Sequence, residues 1–105
     1  MKFVFSISIT LFVITFVACK KDIPAPLANA DFYVENNNCN APCTLYFYNQ
    51  SAHAIKWRWD FGNSKQSSKE NPSINYASGG LFDVELVVWN NDDISDTIVK
   101  SIKVN

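Results

Sequence analysis

The chain has 105 residues, and its nine basic and ten acidic side chains leave a net charge of −1 at pH 7. A charge so close to zero argues against a nucleic-acid-binding protein, which needs a basic surface, and against an electrostatic membrane patch. The length suits one small domain. No Gly-rich phosphate loop and no pairing of a nucleophile with a base can be identified, so we expect neither catalysis nor a cofactor.

The N-terminus has the pattern of a lipoprotein signal. Lys2 precedes an apolar run that ends at Ala18, directly before Cys19. A short basic start, an apolar segment and a small residue before the cleavage point are typical of a secretory signal. We therefore predict a cleaved signal peptide at residues 1–18 and a lipidated Cys19. The alternative is an uncleaved transmembrane helix, although about 16 residues fall short of the ~20 that span a bilayer.

The residues that follow set the predicted location and the domain boundary. Cys-Lys-Lys-Asp at residues 19–22 resembles the start of lipoproteins of the Bacteroidota, which implies a lipid anchor in the cell envelope, in the outer membrane. Residues 19–29 include Pro24 and Pro26 and are predicted to form a semi-extended tether. The remaining residues, 30–105, are predicted to form one domain.

Two further cysteines, Cys39 and Cys43, stand close together before the second predicted strand. Outside the inner membrane such a pair is normally oxidised, so we predict a structural disulfide. It would stabilise the domain by about 2 kcal/mol in the chain-entropy model. The alternative is a redox or metal pair. No Cys-x-x-Cys motif is present and His53 is the only histidine, so soft ligands for a tetrahedral zinc site are lacking.

The most informative segment is Trp-Arg-Trp-Asp-Phe-Gly at residues 57–62. The aromatic residues at positions 57, 59 and 61 fall on one face of an extended strand, and Arg58 and Asp60 fall on the other. Three large aromatic side chains at this spacing need a thick apolar layer on which to pack, as between two sheets. The segment therefore predicts a central strand of a β-sandwich.

Strand patterns separated by turn residues continue along the chain, and no segment has a convincing helical period. This spacing is typical of an antiparallel sandwich of about seven strands, so the predicted fold class is all-β. Residues 65–76 are predicted to hold one short edge strand within an irregular connection. The individual predicted strands are 31–35, 44–49, 55–61, 67–69, 82–90 and 96–104, the last two forming a hairpin.

In chain order these segments resemble the PKD (polycystic kidney disease) domain family. Residues 44–51 are similar to its Val-x-Phe-x-Asn-x-Ser strand, residues 71–76 to its Asn-Pro-x-x-x-Tyr stretch, and residues 80–90 to its Gly-x-Tyr-x-Val-x-Leu-x-Val-x-Asn strand. The Trp-Asp-Phe-Gly core of the family is matched by Trp59, Asp60, Phe61 and Gly62.

The resemblance covers residues 28–105, with mild departures. Leu45 replaces the usual Val, Phe82 replaces the usual Tyr, and Asn63-Ser64 replaces the usual Asp-Gly turn. Membership of this family implies an immunoglobulin-like sandwich, typically extracellular, without catalytic activity of its own.

Alternation along the strands divides the side chains between core and surface. Two outer faces are the candidate binding surfaces, because exposed aromatic residues are enriched at interfaces. The alternative is a purely structural role, in which the aromatic residues form cross-strand pairs and Arg58 makes an internal cation–π contact with Trp89. One outer face carries Tyr33, Tyr46 and Tyr48, and the other carries Arg58, Val87 and Trp89. The predicted core consists of Phe32, Leu45, Phe47, Trp57, Trp59, Phe61, Phe82, Val84, Leu86, Val88, Ile102 and Val104.

The polar candidates for chemistry have structural interpretations as well. Asp60 is predicted to cap the following turn, and His53 to be a surface residue. Asp92, Asp93 and Asp96 cluster in the last hairpin loop and could hold Ca²⁺ through oxygen ligands, but a solvated acidic turn is the commoner outcome. We therefore predict no metal site, with these three carboxylates as a weak calcium candidate.

Two functions from different classes remain open. The first is a lipid-anchored protein–protein interaction or adhesion module that docks to another envelope protein by a sheet face or edge. The alternative is a glycan-binding module at the cell surface, with sugar rings stacked on Trp89 or on the tyrosines. A third possibility is a passive spacer without a ligand. The sequence names neither the protein partner nor the polysaccharide.

Overall fold

The computed structural model describes residues 23–105, and the predicted signal peptide and Cys19 lie outside the described residues. All regular elements in the described part are strands, and they form two antiparallel sheets. The predicted all-β sandwich is therefore confirmed. In chain order the strands are β1 Phe32–Glu35, β2 Cys43–Asn49, β3 Lys56–Asp60, β4 Gln66–Ser67, β5 Ser73–Tyr76, β6 Gly80–Trp89 and β7 Ser95–Val104.

One sheet has the order β1-β2-β5 and the other has the order β4-β3-β6-β7. The predicted C-terminal hairpin is present, with Gly80 opposite Val104 at one end and Trp89 opposite Ser95 at the other. β5 corrects the prediction of an irregular connection, because residues 73–76 pair with β2. Its polar alternate positions and short length hid the strand pattern.

β4 is a second correction, since it covers only Gln66–Ser67 and pairs with Trp59 and Asp60 alone. Lys56 to Arg58 in the first half of β3 therefore have no strand partner on the β4 side. This leaves an open edge in the four-stranded sheet.

The core lies between the two sheets and is built on aromatic side chains. Phe47 contacts both Trp59 and Phe61 at ring-centroid distances of 5.6 and 5.1 Å, and Phe32 meets Trp59 edge-on at 5.1 Å. The buried indole of Trp59 donates a 2.9 Å hydrogen bond to the Lys69 carbonyl. Ten of the twelve predicted core residues are buried; Trp57 and Phe82 are half-buried against the same cluster.

Polar contacts close the side of the sandwich where β1 lies beside β7. The Lys100 ammonium points inward, donates to the Phe32 carbonyl and lies 3.2 Å from the Asp31 carboxylate. Near the start of β7, the Asp96 carboxylate accepts a 2.8 Å hydrogen bond from the Ala30 amide. Inward-pointing charges on an edge strand oppose pairing with another chain.

The predicted disulfide between Cys39 and Cys43 is present and closes the loop between β1 and β2. This loop is fastened to the C-terminal end of β7. The Asn105 amide donates to the Cys39 carbonyl at 2.7 Å, and the Asn38 amide donates to the Lys103 carbonyl at 2.9 Å. The disulfide therefore holds a loop that joins the two sheets.

The chain before β1 also packs on the domain. The Ala25 amide donates to Asp92 Oδ2 at 2.8 Å, and Asn29 exchanges two 3.0 Å backbone hydrogen bonds with Ala52. Residues 25–29, which the sequence assigned to the tether, are therefore attached to the sandwich. No helix of a length and hydropathy able to cross a membrane occurs within residues 23–105.

Candidate binding surfaces

The outer face of the β1-β2-β5 sheet carries the tyrosines predicted to point outward. Tyr33 and Tyr46 are 44% and 45% exposed. The ring of Tyr33 stacks on that of Tyr48 at 4.9 Å, with the ring planes 18° apart. We call this surface, formed by Tyr33, Tyr46 and Tyr48, the tyrosine face.

The hydroxyl of Tyr48 is already engaged on this face. It donates a 3.0 Å hydrogen bond to Glu35 Oε1. This bond, with the negative charge of Glu35, raises the pKa of Tyr48 above its usual value, because it favours the protonated hydroxyl. Tyr48 is half-buried, so Tyr33 and Tyr46 provide most of the aromatic surface available to a partner.

The second predicted surface needs a correction. Val87 does lie on the outer face of the four-stranded sheet, opposite Arg58 and Thr97, but it is only 8% exposed. β6 is a central strand, and the long side chains on its neighbours cover a small residue there. Val87 is therefore not an accessible binding residue.

Trp89 on the same face is half-buried between two cations. Lys56 Nζ and Arg58 Cζ each lie 5.8 Å from the centre of its ring. The internal cation–π contact considered for Arg58 is thus present, and Lys56 makes a second one. Such contacts contribute about 0.5–1 kcal/mol each at exposed sites, so part of Trp89 serves the sheet itself.

A groove of about 340 Å³ opens at the unpaired edge of β3. Its volume lies within the range of small-ligand sites. Trp57, interpreted from sequence as a core residue, lines this groove together with Trp89, because β4 ends too early to cover it. The complete lining is Ile55, Lys56, Trp57, Ser68 and Trp89.

The acidic turn between β6 and β7 does not gather its carboxylates. Asp92 accepts from the Ala25 amide, Asp93 pairs with Lys56 at 3.0 Å, and Asp96 accepts from the Ala30 amide. Within residues 23–105, no group of three or more His, Cys, Asp or Glu side chains is placed to hold a metal. The weak calcium candidate therefore has three carboxylates directed at different partners.

Asn90 organises this turn and was missed by sequence reasoning. Its buried side-chain oxygen accepts from the amides of Asp92 and Ile94, both at 2.9 Å, and its amide group donates to the Pro26 carbonyl at 3.0 Å. The side chain thereby joins the hairpin turn to the chain before β1. An Asx turn could have been expected from the Asn-Asn-Asp-Asp sequence, but the link to Pro26 could not.

The turn after β3 agrees with its predicted role. Asp60 Oδ1 accepts a 3.0 Å hydrogen bond from the Gly62 amide, as expected of a capping carboxylate. Gly62 has φ +75°, and a Cβ there would lie 2.8 Å from the Asp83 carbonyl oxygen. His53 is exposed in the loop before β3, as predicted.

Residues 24–105 match the model of the PKD domain family. The chain belongs to the PKD domain family. The predicted resemblance is thus confirmed over nearly the whole described part, and the PKD domain is a non-catalytic β-sandwich module.

Relatives of known sequence or structure agree. The pre-pro-metalloprotease PrtV of Vibrio cholerae serotype O1 is 30% identical over 81 residues, which are 77% of this chain and 9% of that protein. The crystal structure of the PKD1 domain of that metalloprotease superposes with a TM-score of 0.65 and 28% identity, over 72% of this chain and 94% of that one. The chain thus spans about a tenth of the curated relative it matches.

Two further solved structures share the fold. The PKD1 domain of Vibrio anguillarum Epp has a TM-score of 0.69 and 23% identity, over 78% of this chain and 98% of that one. A structure described with the promiscuous carbohydrate-binding modules of the β-sandwich superfamily has a TM-score of 0.73 and 20% identity. It is matched over 78% of this chain and 36% of that one, and the likeness concerns the fold.

Proposed function

We propose that this chain is a lipid-anchored PKD module of the cell envelope that docks to another envelope protein and performs no catalysis. The signal-like N-terminus, ending in Ala18-Cys19, supports the lipid anchor and the outer-membrane location. The tyrosine face carries the docking proposal. Tyr33 and Tyr46 expose aromatic surface on a rigid sheet, and tyrosine provides large contact area at low entropic cost.

The β7 edge of the sandwich is less suited to docking than this face. On β7, the inward-directed Lys100 and Asp96 oppose the addition of a further strand. The tyrosine face has no such obstruction, and Glu35 adds a carboxylate beside the aromatic rings. A partner surface with aliphatic side chains and a cation opposite Glu35 would complement it.

The test is cross-linking in intact cells that carry a tagged copy, with a flexible linker after Asn105. We expect one envelope protein to be recovered in near-equal amount, and the double variant Tyr33→Ser, Tyr46→Ser to reduce this recovery at least about tenfold, as expected when central aromatic contacts are lost. Val99→Ser, an exposed residue on the other sheet, is the control and should retain the partner. Equal recovery with both variants would show that the tyrosine face is not the docking surface.

A glycan-binding function is a second candidate, and the groove at β3 is the observation that favours it. Two half-buried indoles, Trp57 and Trp89, line a space of sugar-unit size beside the ammonium of Lys56. Planar sugar rings stack on such side chains through their C–H faces. The carbohydrate-binding structure that shares the fold is consistent with this use.

Tryptophan fluorescence separates the two candidates. The glycan function would be supported if soluble oligosaccharides quench or shift the tryptophan emission. This response should be lost in Trp89→Ala and in Trp57→Ala. Tyr46→Ser should leave the response unchanged, because the tyrosine face lies on the other sheet. Absence of any response to a panel of neutral and acidic oligosaccharides would argue against it.

A further inference from the structure

One end of the sandwich concentrates the exposed aliphatic side chains of the domain. This end, which we call the Asn90 pole, comprises the turn 90–95, the loop 52–55 and residues 23–29. It exposes Ile23 by 75%, Leu27 by 68%, Ile55 by 51% and Ile94 by 48%. These are four of the eight large hydrophobic residues that are exposed within residues 23–105.

Hydrogen bonds hold these segments together at the pole. The Ala25 amide donates to Asp92, and Asn90 donates to the Pro26 carbonyl, so residues 25 and 26 lie against the hairpin turn. The Ile55 amide donates to the Trp89 carbonyl at 2.8 Å, which places the loop 52–55 beside the start of the hairpin turn. Ala25, Pro26, Ile55 and Asn90 also line one shared cavity. These contacts bring the three segments that carry the four aliphatic residues to one end of the sandwich.

The predicted lipid attachment site is close to this pole in the sequence. Cys19 stands six residues before Ala25 in the sequence. Six residues span at most about 21 Å when fully extended. If Cys19 carries the acyl chains, Ala25 cannot lie farther than this from the membrane interface, so the Asn90 pole is the end of the domain nearest to the lipid.

The side chains around the pole suit the membrane interface. Trp57 and Trp89 lie at the same end of the sheet, and Trp is enriched at the boundary between lipid and water. Lys56 pairs with Asp93 at 3.0 Å, so this cation is balanced by a neighbouring carboxylate. Attachment through this pole would rest on apolar contact and not on attraction to anionic lipid.

We propose that the Asn90 pole is a membrane-seating surface, which inserts Ile23, Leu27, Ile55 and Ile94 into the interface of the bilayer that holds the lipid of Cys19. The inference rests on the proposed lipid anchor. It fixes the orientation of the domain: β1 and β2 stand roughly along the membrane normal, and the tyrosine face is directed sideways, towards a neighbour in the same membrane.

The test uses the full lipidated protein, reconstituted in phosphatidylcholine vesicles with brominated acyl chains, which quench nearby tryptophan. Ile94→Trp places a reporter on the pole. Leu81→Trp places one at the opposite end of β6, where Leu81 is 73% exposed and pairs with Lys103. Neither position lines the groove, so ligand binding there does not affect the comparison.

We expect the quenching added by Ile94→Trp to exceed that added by Leu81→Trp by about twofold or more, since an interfacial side chain reaches the acyl boundary. The difference should persist in high salt. Equal quenching at the two positions, or a difference abolished by salt, would overturn the proposal of a membrane-seating surface but would not contradict the lipid anchor. Mass spectrometry of the N-terminal peptide separates the two proposals, because a Cys19 without acyl chains would overturn both.

Discussion

The hydroxyl of Tyr76 on β5 donates a 2.9 Å hydrogen bond to the carbonyl oxygen of Phe61 at the end of β3. Tyr76 belongs to one sheet, Phe61 directly follows a strand of the other sheet, and both residues are fully buried. The bond therefore satisfies a backbone acceptor where the aromatic strand leaves the core. It gives the Asn-Pro-x-x-x-Tyr stretch of the family a specific structural role.

Tyr76→Phe should destabilise the domain by about 1–3 kcal/mol, because the Phe61 carbonyl would remain buried without a donor. The ring itself and its 4.6 Å contact with Phe82 are retained, so the fold should persist. Urea unfolding followed by tryptophan fluorescence measures the difference. Tyr46→Phe, at an exposed position, is the matched control and should change stability by less than about 0.5 kcal/mol.

Stability should also fall at alkaline pH through the same residue. Burial, with a smaller contribution from the charge of Asp60, raises the pKa of Tyr76 to about 12, above the value of about 10 for tyrosine in an unfolded chain. The folded state therefore holds this proton more tightly. The stabilisation of the folded state that results from this difference in pKa is complete below pH ~10 and is lost as the pH rises towards ~12.

Unfolding midpoints measured between neutral pH and pH ~12 test this dependence. The wild type should lose stability steeply above pH ~10, and Tyr76→Phe should show a shallower decline because it has no hydroxyl to ionise. Parallel curves for the two proteins would show that Tyr76 does not govern the alkaline transition.

Reduction of the disulfide between Cys39 and Cys43 should lower the free energy of unfolding by about 2 kcal/mol, the value expected for closure of a short loop. The loop contacts of Asn38 and Cys39 with the end of β7 would lose order with it. Thermal unfolding of the oxidised protein, the reduced protein and the double variant Cys39→Ser, Cys43→Ser gives the measurement. A double variant as stable as the oxidised wild type would contradict the structural role.

Two substitutions in the turn after β3 should change the stability of the domain in opposite directions. Gly62→Ala should destabilise by roughly 1–3 kcal/mol, since alanine at φ +75° is strained and its Cβ would collide with the Asp83 carbonyl. Ser64 has φ +70°, so Ser64→Gly should relieve strain and raise stability by up to about 1 kcal/mol. Equilibrium unfolding of both variants measures the two effects. Equal changes of the same sign would contradict the argument.

The sequence predicted those features that depend on local pattern. Alternating aromatic residues placed β3 in the core, and turn residues bounded most strands within one or two positions. The short spacing of Cys39 and Cys43 favoured the disulfide. Each of these rests on covalent geometry or on the two-residue period of a strand, which are properties of neighbouring residues.

Other features escaped prediction because they depend on strands that are distant in sequence. β5 is a strand because residues 73–76 meet β2, although their own pattern is weak. Asn90 gained its central role because Pro26 lies beside it, 64 residues away in the chain. The sequence offered no signal for either contact.

The sequence by itself determined the sandwich, its family, its disulfide and the set of residues that point outward. Only the tertiary structure decided which outward residues remain accessible. Val87 is covered because it lies on a central strand between long side chains, whereas Trp57 reaches a groove because β4 is too short to cover it. Alternation fixes the direction of a side chain, but its exposure depends on the length and side chains of the neighbouring strands, which only the folded arrangement specifies.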